Sequence, residues 1–344
     1  MSKSTVNRRQ GVAKIVTIAL IAAASLCGWT SSFAQSYTMK IGMVTINDPI
    51  HAVAVQYGKE VERRSGGRIK AEVYPAGQLG KASRQIEGLQ AGTQEVLVSP
   101  PAFLAGITPG VQVLDAPGFF RSMDHAYNVV TRPAFRNHLL NMPQSKGIVG
   151  TSIWVYGPSA VVSTKGALTV DQLRGFKVRI LATDLERAAV DAMGMKGVPM
   201  DFTETLPALQ NGTIDACRSS LVVMGGMKFY NTAKNAFRDQ TGMLFSAVWV
   251  SDVWLKSLPP DLQKVLVDVG KDMDAWGTNT AKEAEALQEK VWSEAGAKVT
   301  SLNPEQRKQL FAAVAPVGEK LLGGNARTAE SWKALKAAAS EVTN

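Results

Sequence analysis

Hydrophobic and polar positions follow two rhythms along this chain. Met39, Ile41 and Met43 are separated by polar or small residues, a period of two that predicts a strand. Ile50, Val53, Ala54, Tyr57 and Val61 then recur at helical spacing, and Gly66-Gly67 stop the helix. Ile69, Ala71 and Val73 alternate as a second strand, residues 83–91 read as a helix ended by Gly92, and Val96-Leu97-Val98 as a short buried strand. This order predicts a parallel α/β lobe. The pattern recurs. Residues 147–155 are strand-like, Thr169 caps a short turn, and Lys177-Val-Arg-Ile-Leu181 is a strand. Thr183 caps a helix running to Met193, residues 198–200 form a strand, Thr203 caps the next helix, and residues 214–216 form another strand. That is a second α/β lobe. After an apolar strand at 243–251, Leu262, Leu266, Val269, Met273, Trp276 and Leu287 keep a 3.6-residue rhythm. A helix continuous over 261–296 is about 50 Å long at 1.5 Å per residue, longer than one lobe, and so predicts a strut across both. Two further helices close the chain, over 304–322 and 326–342.

The beginning of the chain reads as an address. Basic and polar residues fill 1–14, residues 15–26 are largely apolar, and Ser32-Phe33-Ala34 resembles a small-x-small cleavage site. This predicts a signal peptide over 1–34, cut near Ala34, and an exported chain in the periplasm. Arg8-Arg9 as a twin-arginine signal and Cys27 as a lipidated cysteine are weaker variants: Gln10-Gly11 and Leu26 fit those patterns poorly. The 344 residues suit two lobes, and 45% hydrophobic with 19% charged residues excludes a disordered chain. The formal charge is +9, and residues 1–34 carry four of those charges with no acid. The rest are interspersed, so no nucleic-acid surface is read. Two cysteines exclude a disulfide scaffold, and His51, His125 and His138 show no metal-ligand spacing. No nucleophile elbow, phosphate loop or dinucleotide fingerprint is present, so neither enzyme chemistry nor a cofactor is expected. Two lobes without catalytic motifs point to ligand capture in a cleft.

Several segments, in order, then carry a resemblance. They are Lys59-Glu-Val-Glu-Arg-Arg-Ser-Gly-Gly-Arg68, Tyr74-Pro-Ala-Gly-Gln-Leu-Gly80, Leu173-Arg-Gly-Phe-Lys-Val-Arg179, Met200-Asp-Phe-Thr-Glu-Thr-Leu-Pro-Ala-Leu-Gln210 and Leu258-Pro-Pro-Asp-Leu-Gln-Lys-Val-Leu266. Together they resemble the DctP-like solute-binding subunits of tripartite ATP-independent periplasmic (TRAP) transporters. The resemblance implies crossover strands, a long hinge helix and a two-lobed binding protein. Its lobes are expected at 35–156 plus 245–284 and at 157–244 plus 285–344. It also implies delivery of a carboxylate to a small and a large membrane subunit. A monomer is expected.

The same resemblance places a carboxylate-binding arginine at Arg179. A guanidinium suits that task because its paired donors match a carboxylate and it stays charged. Lys165 stands where many relatives carry a second arginine, Phe202 where an aromatic lines the pocket, and Ser219 where an Asn is frequent. Arg218 departs from the usual acid, and either adds positive charge facing the cleft or points away from it. His51, Trp154 and Ser99 are candidates from the first lobe, and Pro100 replaces an acid found in some relatives. Lys165 and Arg218 favour a C4-dicarboxylate, whereas Trp154 and Phe202 favour an aromatic or branched monocarboxylate. A sensor subunit of the same fold, or an exported lyase or hydrolase using Asp215 or Glu204, are the alternatives.

Overall fold

The structure is a computed structural model and describes residues 36–166 and 169–342. The expected leader over 1–34, with Arg8-Arg9, Cys27 and Ala34, lies outside the described residues. The first elements are β1 (Tyr37–Gly42), α1 (Pro49–Arg64), β2 (Ile69–Tyr74), α2 (Ala82–Ala91), β3 (Val96–Ser99), α3 (Met123–Val130) and α4 (Pro133–Asn141). Next come β4 (Ile148–Ser163), β5 (Lys177–Ile180), α5 (Asp184–Ala192), β6 (Lys196–Pro199), α6 (Phe202–Gln210), β7 (Ala216–Ser220), α7 (Leu221–Gly226) and β8 (Asn235–Arg238). The chain ends with β9 (Met243–Ser251), α8 (Asp252–Ser257), α9 (Pro260–Ala286), α10 (Gln288–Glu294), β10 (Lys298–Ser301), α11 (Pro304–Gly318) and α12 (Ala329–Ser340).

Local chemistry explains the boundaries. The Asp48 carboxylate accepts the His51 N–H and Pro49 opens α1, while the left-handed Gly66 and Gly67 lie beyond its end. Thr183 caps α5 as expected, accepting the Glu186 N–H at 3.2 Å. For α6 the cap is Asp201 rather than Thr203. The Asp201 carboxylate accepts from the Thr203 N–H at 3.0 Å, and Thr203 thereby falls inside the first turn.

In the first lobe β1 pairs in parallel with β2 and β3, and β9 joins antiparallel between β3 and β4. In the second, β5 pairs in parallel with β6 and β7, and β4 runs antiparallel to β7 and β8. The two lobes therefore share β4, whose residues 148–158 pair with β9 and whose residues 159–163 pair with β7. The hydrophobic pattern predicts a strand over residues 147–155. The structure carries the strand on to Ser163 through a bulge at Gly157, with φ of 146° and a shifted register.

The strut is present with one correction. Its helix stops at Ala286, turns at Leu287 and resumes as α10, which lays Trp292 against α7. The 27 residues of α9 still cover about 40 Å. They lie across β4, where Gly270 and Gly277 leave room for the Thr151 carbonyl and the Trp154 ring. Asp274 accepts from Ser152 Oγ and the Ile153 N–H and pairs with Arg136, and Thr278 Oγ1 accepts from the Val155 N–H. The expected division of lobes needs one change. The expectation places residues 285–344 in the second lobe, but α12 packs on α4 and α3, with Trp332 and Leu335 among Val111, Phe135 and Leu139. His138 Nε2 and Ser331 Oγ lie 3.0 Å apart there. An amphipathic helix shows its apolar stripe in sequence, but not which lobe the stripe covers.

Candidate functional site

Two chambers meet at Arg179. The outer one, about 600 Å³, opens between α2 and the turn following β3 on one side and residues 199–202 on the other. The inner one, about 20 Å³, is enclosed by Thr45, Pro100, Tyr156, Ser219, Val223 and Leu244 among others. Both are lined by Phe103, Arg179, Leu181 and Phe202. Residues of both lobes thus form the walls.

Arg179 sits on β5 and is only 2% exposed. Its Nε donates to the Met200 carbonyl at 3.1 Å, and its guanidinium lies 5.0 Å from the Phe202 ring centroid. Among the described residues no carboxylate lies within ion-pair distance of it. Burial pushes its pKa down from the ordinary arginine value, although arginine remains charged in proteins. A buried, unpaired guanidinium is costly unless something else supplies the anion. Phe202, the first residue of α6, is held in turn by stacking on Phe229, with centroids 5.6 Å apart. Ser219 on β7 lines the inner chamber, and its hydroxyl makes no side-chain hydrogen bond within the described residues. Arg179, Phe202 and Ser219 are therefore brought together.

The other expected site residues lie elsewhere. Arg218, next to Ser219, points to the opposite side of β7 into a closed network. It pairs with Glu186 and Asp239 and donates to Ser159 Oγ at 2.8 Å and Thr241 Oγ1 at 3.0 Å. The expectation that it charges the cleft is corrected: two buried carboxylates already neutralise it. Asp115 lies near the same group, and burial, reinforced by Glu186, pushes its carboxyl up to about 8. Lys165 pairs with Asp215 at 2.6 Å and lies over the Phe176 ring, lining neither chamber. Trp154 is fully buried between β4 and α9 and forms core instead of a cleft wall. Ser99 is buried at the end of β3, and neighbouring Pro100 lines the chamber in its place. His51 lines a separate groove of about 620 Å³ beside Trp276 and Gln288.

Sequence reasoning missed Phe103, Tyr156, Leu181 and Leu244. Tyr156 follows the expected Trp154 by two residues on the same strand, and its hydroxyl donates to the buried Asp48 at 3.0 Å. Phe103 follows Pro100-Pro101, a proline pair that signals a turn leaving the strand end.

Contacts between the lobes bridge one side of the mouth. Lys81 pairs with Glu204, and the Ala82 N–H donates to Asp201 Oδ2 at 3.2 Å. That N–H is one of the donors a helix start leaves unsatisfied, so Asp201 caps its own helix with one oxygen and the facing helix with the other.

Comparison with known proteins agrees with this architecture. The family model described as DctP, bacterial extracellular solute-binding protein, family 7, matches residues 42–323. The C4-dicarboxylate-binding periplasmic protein DctP of Shewanella loihica is 27% identical over 311 residues, 89% of this chain and 90% of that protein. Among solved structures, a TRAP periplasmic solute binding protein from Desulfovibrio salexigens with bound orotic acid superposes with a TM-score of 0.81. It is 26% identical and covers 89% of this chain and 98% of its own. Another from Shewanella oneidensis, with bound succinate, has a TM-score of 0.81 and 25% identity, covering 88% and 99%.

Proposed function

The chain belongs to family 7 of the bacterial extracellular solute-binding proteins, and from that premise we propose that it captures a small organic carboxylate at Arg179 by closure of its lobes. The observation that carries this reading is the charge state of the cavity. Arg179 is buried at the junction of both chambers with no acidic partner among the described residues, so a ligand carboxylate supplies the missing anion. The two relatives named for C4-dicarboxylates and succinate, and the one holding orotic acid, support the same class of ligand.

The mechanism is capture without bond chemistry. The acid enters between α2 and α6, its carboxylate meets the guanidinium, and the lobes close over it. Asp201 and the Lys81–Glu204 pair then join the two sides of the mouth. Closing buries the ion pair and strengthens it. The closed form, in this reading, is what TRAP membrane subunits receive, and residues 1–34 send the chain to the periplasm, where it acts as a monomer.

A thermal-shift screen of residues 35–344 against acids, neutral sugars, amines and divalent cations tests the reading. A ligand at 100 times its dissociation constant stabilises the folded state by about 2.7 kcal/mol. A rise confined to carboxylates is expected. A rise with neutral sugars or cations and none with acids refutes it.

A further inference from the structure

We propose that the acid held at Arg179 is a monocarboxylate with an apolar body, aromatic or branched, an inference that rests on the carboxylate reading above. Three observations carry it.

The first is the count of charges facing the ligand. Among the described residues, Arg179 is the one cationic residue lining either chamber. The two cations that would meet a second carboxylate are committed elsewhere, Lys165 to Asp215 and Arg218 to Glu186 and Asp239. The ionisable neighbours of Arg179 on the outer walls are Glu87 and Asp201, both acids. A dicarboxylate would therefore bring its second charge to a wall that repels it or to one that leaves it unpaired.

The second is the state of the polar groups. The inner chamber has three hydroxyls. Thr45 Oγ1 donates to Asp48 Oδ1 and Tyr156 Oη to Asp48 Oδ2, each at 3.0 Å, which leaves Ser219. Asp201 has one oxygen on Thr203 and the other on Ala82. In the inner chamber only Ser219 keeps its hydroxyl proton for a ligand, and the outer chamber adds Ser83 and Gln90, the latter already donating to the Lys146 carbonyl, which is a small set of donors for a polyhydroxylated acid.

The third is the remaining wall. Ile86, Phe103, Ile107, Leu181, Met200 and Phe202 line the outer chamber, the one with room for a ligand's body, with aromatic and aliphatic carbon. Such a lining gains from burying an apolar body and gives nothing to a hydroxyl or a second carboxylate.

The test is calorimetric titration of the full mature chain, unfolded and refolded once to remove any retained ligand. The probes are phenylacetate, 4-methylpentanoate, succinate and D-galacturonate. At least one of the first two should bind about 100-fold more tightly than either of the others, the scale on which a site without partners rejects a polar analogue. Succinate or galacturonate binding more tightly, and lost in Arg179→Met, would overturn this inference and leave the carboxylate reading standing. No binding by any of the four acids at millimolar concentration overturns both. A second variant, Leu181→Lys, adds a cation to the shared wall. In a variant that keeps its circular-dichroism spectrum, the preference for phenylacetate over succinate should fall at least tenfold. An unmoved ratio also overturns the inference.

Discussion

Replacing Arg179 by Met separates the two roles that a buried arginine can play. In the ligand-free protein the change removes the hydrogen bond to the Met200 carbonyl, an interaction with the buried Cys217 side chain on the neighbouring strand and the contact with the Phe202 ring. The first contributes about 1.5–3 kcal/mol for a charged donor, and the last about 0.5–2 kcal/mol. Against them stands the desolvation of a buried ion, an effective several kcal/mol, which the variant relieves because no carboxylate pairs with Arg179. The methionine side chain keeps much of the stem's packing against Phe202. The opposing contributions nearly cancel, so the stability of the ligand-free variant should stay within about 2 kcal/mol of the parent. Binding should respond differently. With the guanidinium gone, the ligand carboxylate is buried without a partner, at a cost of roughly 2–5 kcal/mol, or about 30- to 5000-fold in affinity. Urea denaturation of the ligand-free forms and calorimetric titration of an acid ligand read the two quantities separately. Affinity within threefold of the parent would refute the anchoring role. A loss of more than about 4 kcal/mol in ligand-free stability would show that Arg179 is mainly a structural residue.

The remaining predictions concern the scaffold. Arg218→Met should destabilise by about 3–5 kcal/mol by leaving Glu186 and Asp239 buried without their cation, and Arg218→Met with Asp239→Asn should regain part of that loss in urea melts. Asp115 keeps its proton up to about pH 8 in the folded chain, whereas the unfolded chain releases it near the ordinary value of 3.8. Its contribution to stability is therefore greatest at acid pH, declines as pH rises between those values, and is flat above them. Asp115→Asn should gain in melting temperature relative to the parent from pH 5 to pH 8, and parallel curves would refute the assignment. Gly277→Ala places a methyl 2.8 Å from the Trp154 ring and should cost about 1–3 kcal/mol, read as a lower urea midpoint.

Much of the scaffold was legible because local signals and tertiary demands agree. The apolar strand at 243–251, the helix capped by Thr183 and the helical rhythm from Ile50 to Val61 are local patterns, and each reappears in the structure. What failed were long-range decisions. Strand β4 runs past Val155 because β9 pairs with it as far as Pro158 and β7 takes over from Ser159 to Ser163, partners supplied by distant stretches of sequence. The attachment of α12 depends on which apolar surface is vacant, and no periodicity encodes that. The same distinction separates Arg179 from Arg218. Both are arginines on strands of one sheet, and both are buried. One meets two carboxylates, Glu186 coming from α5 and Asp239 from the turn before β9, while the other meets none within the described residues. Only the folded chain brings those acids to one arginine and keeps them from the other. Trp154 and Tyr156 differ in a similar way, since the glycine notch of α9 holds the indole and the cavity receives the phenol.

The path of the sheet also sets an order of assembly. Strand β3 has β9 as its neighbour, so the first lobe, whose other strands come from the first 163 residues, lacks its inner edge until residue 251 has been made. Strand β4 likewise waits for β9 along most of its length. Neither lobe is a stretch of chain that can finish folding while the rest is still being synthesised. Pairings this distant in sequence form slowly, because a long loop must close before any contact rewards it. A chain wired in this way stays open until it is nearly complete, and β3 and β4 each keep an unpaired edge until β9 arrives.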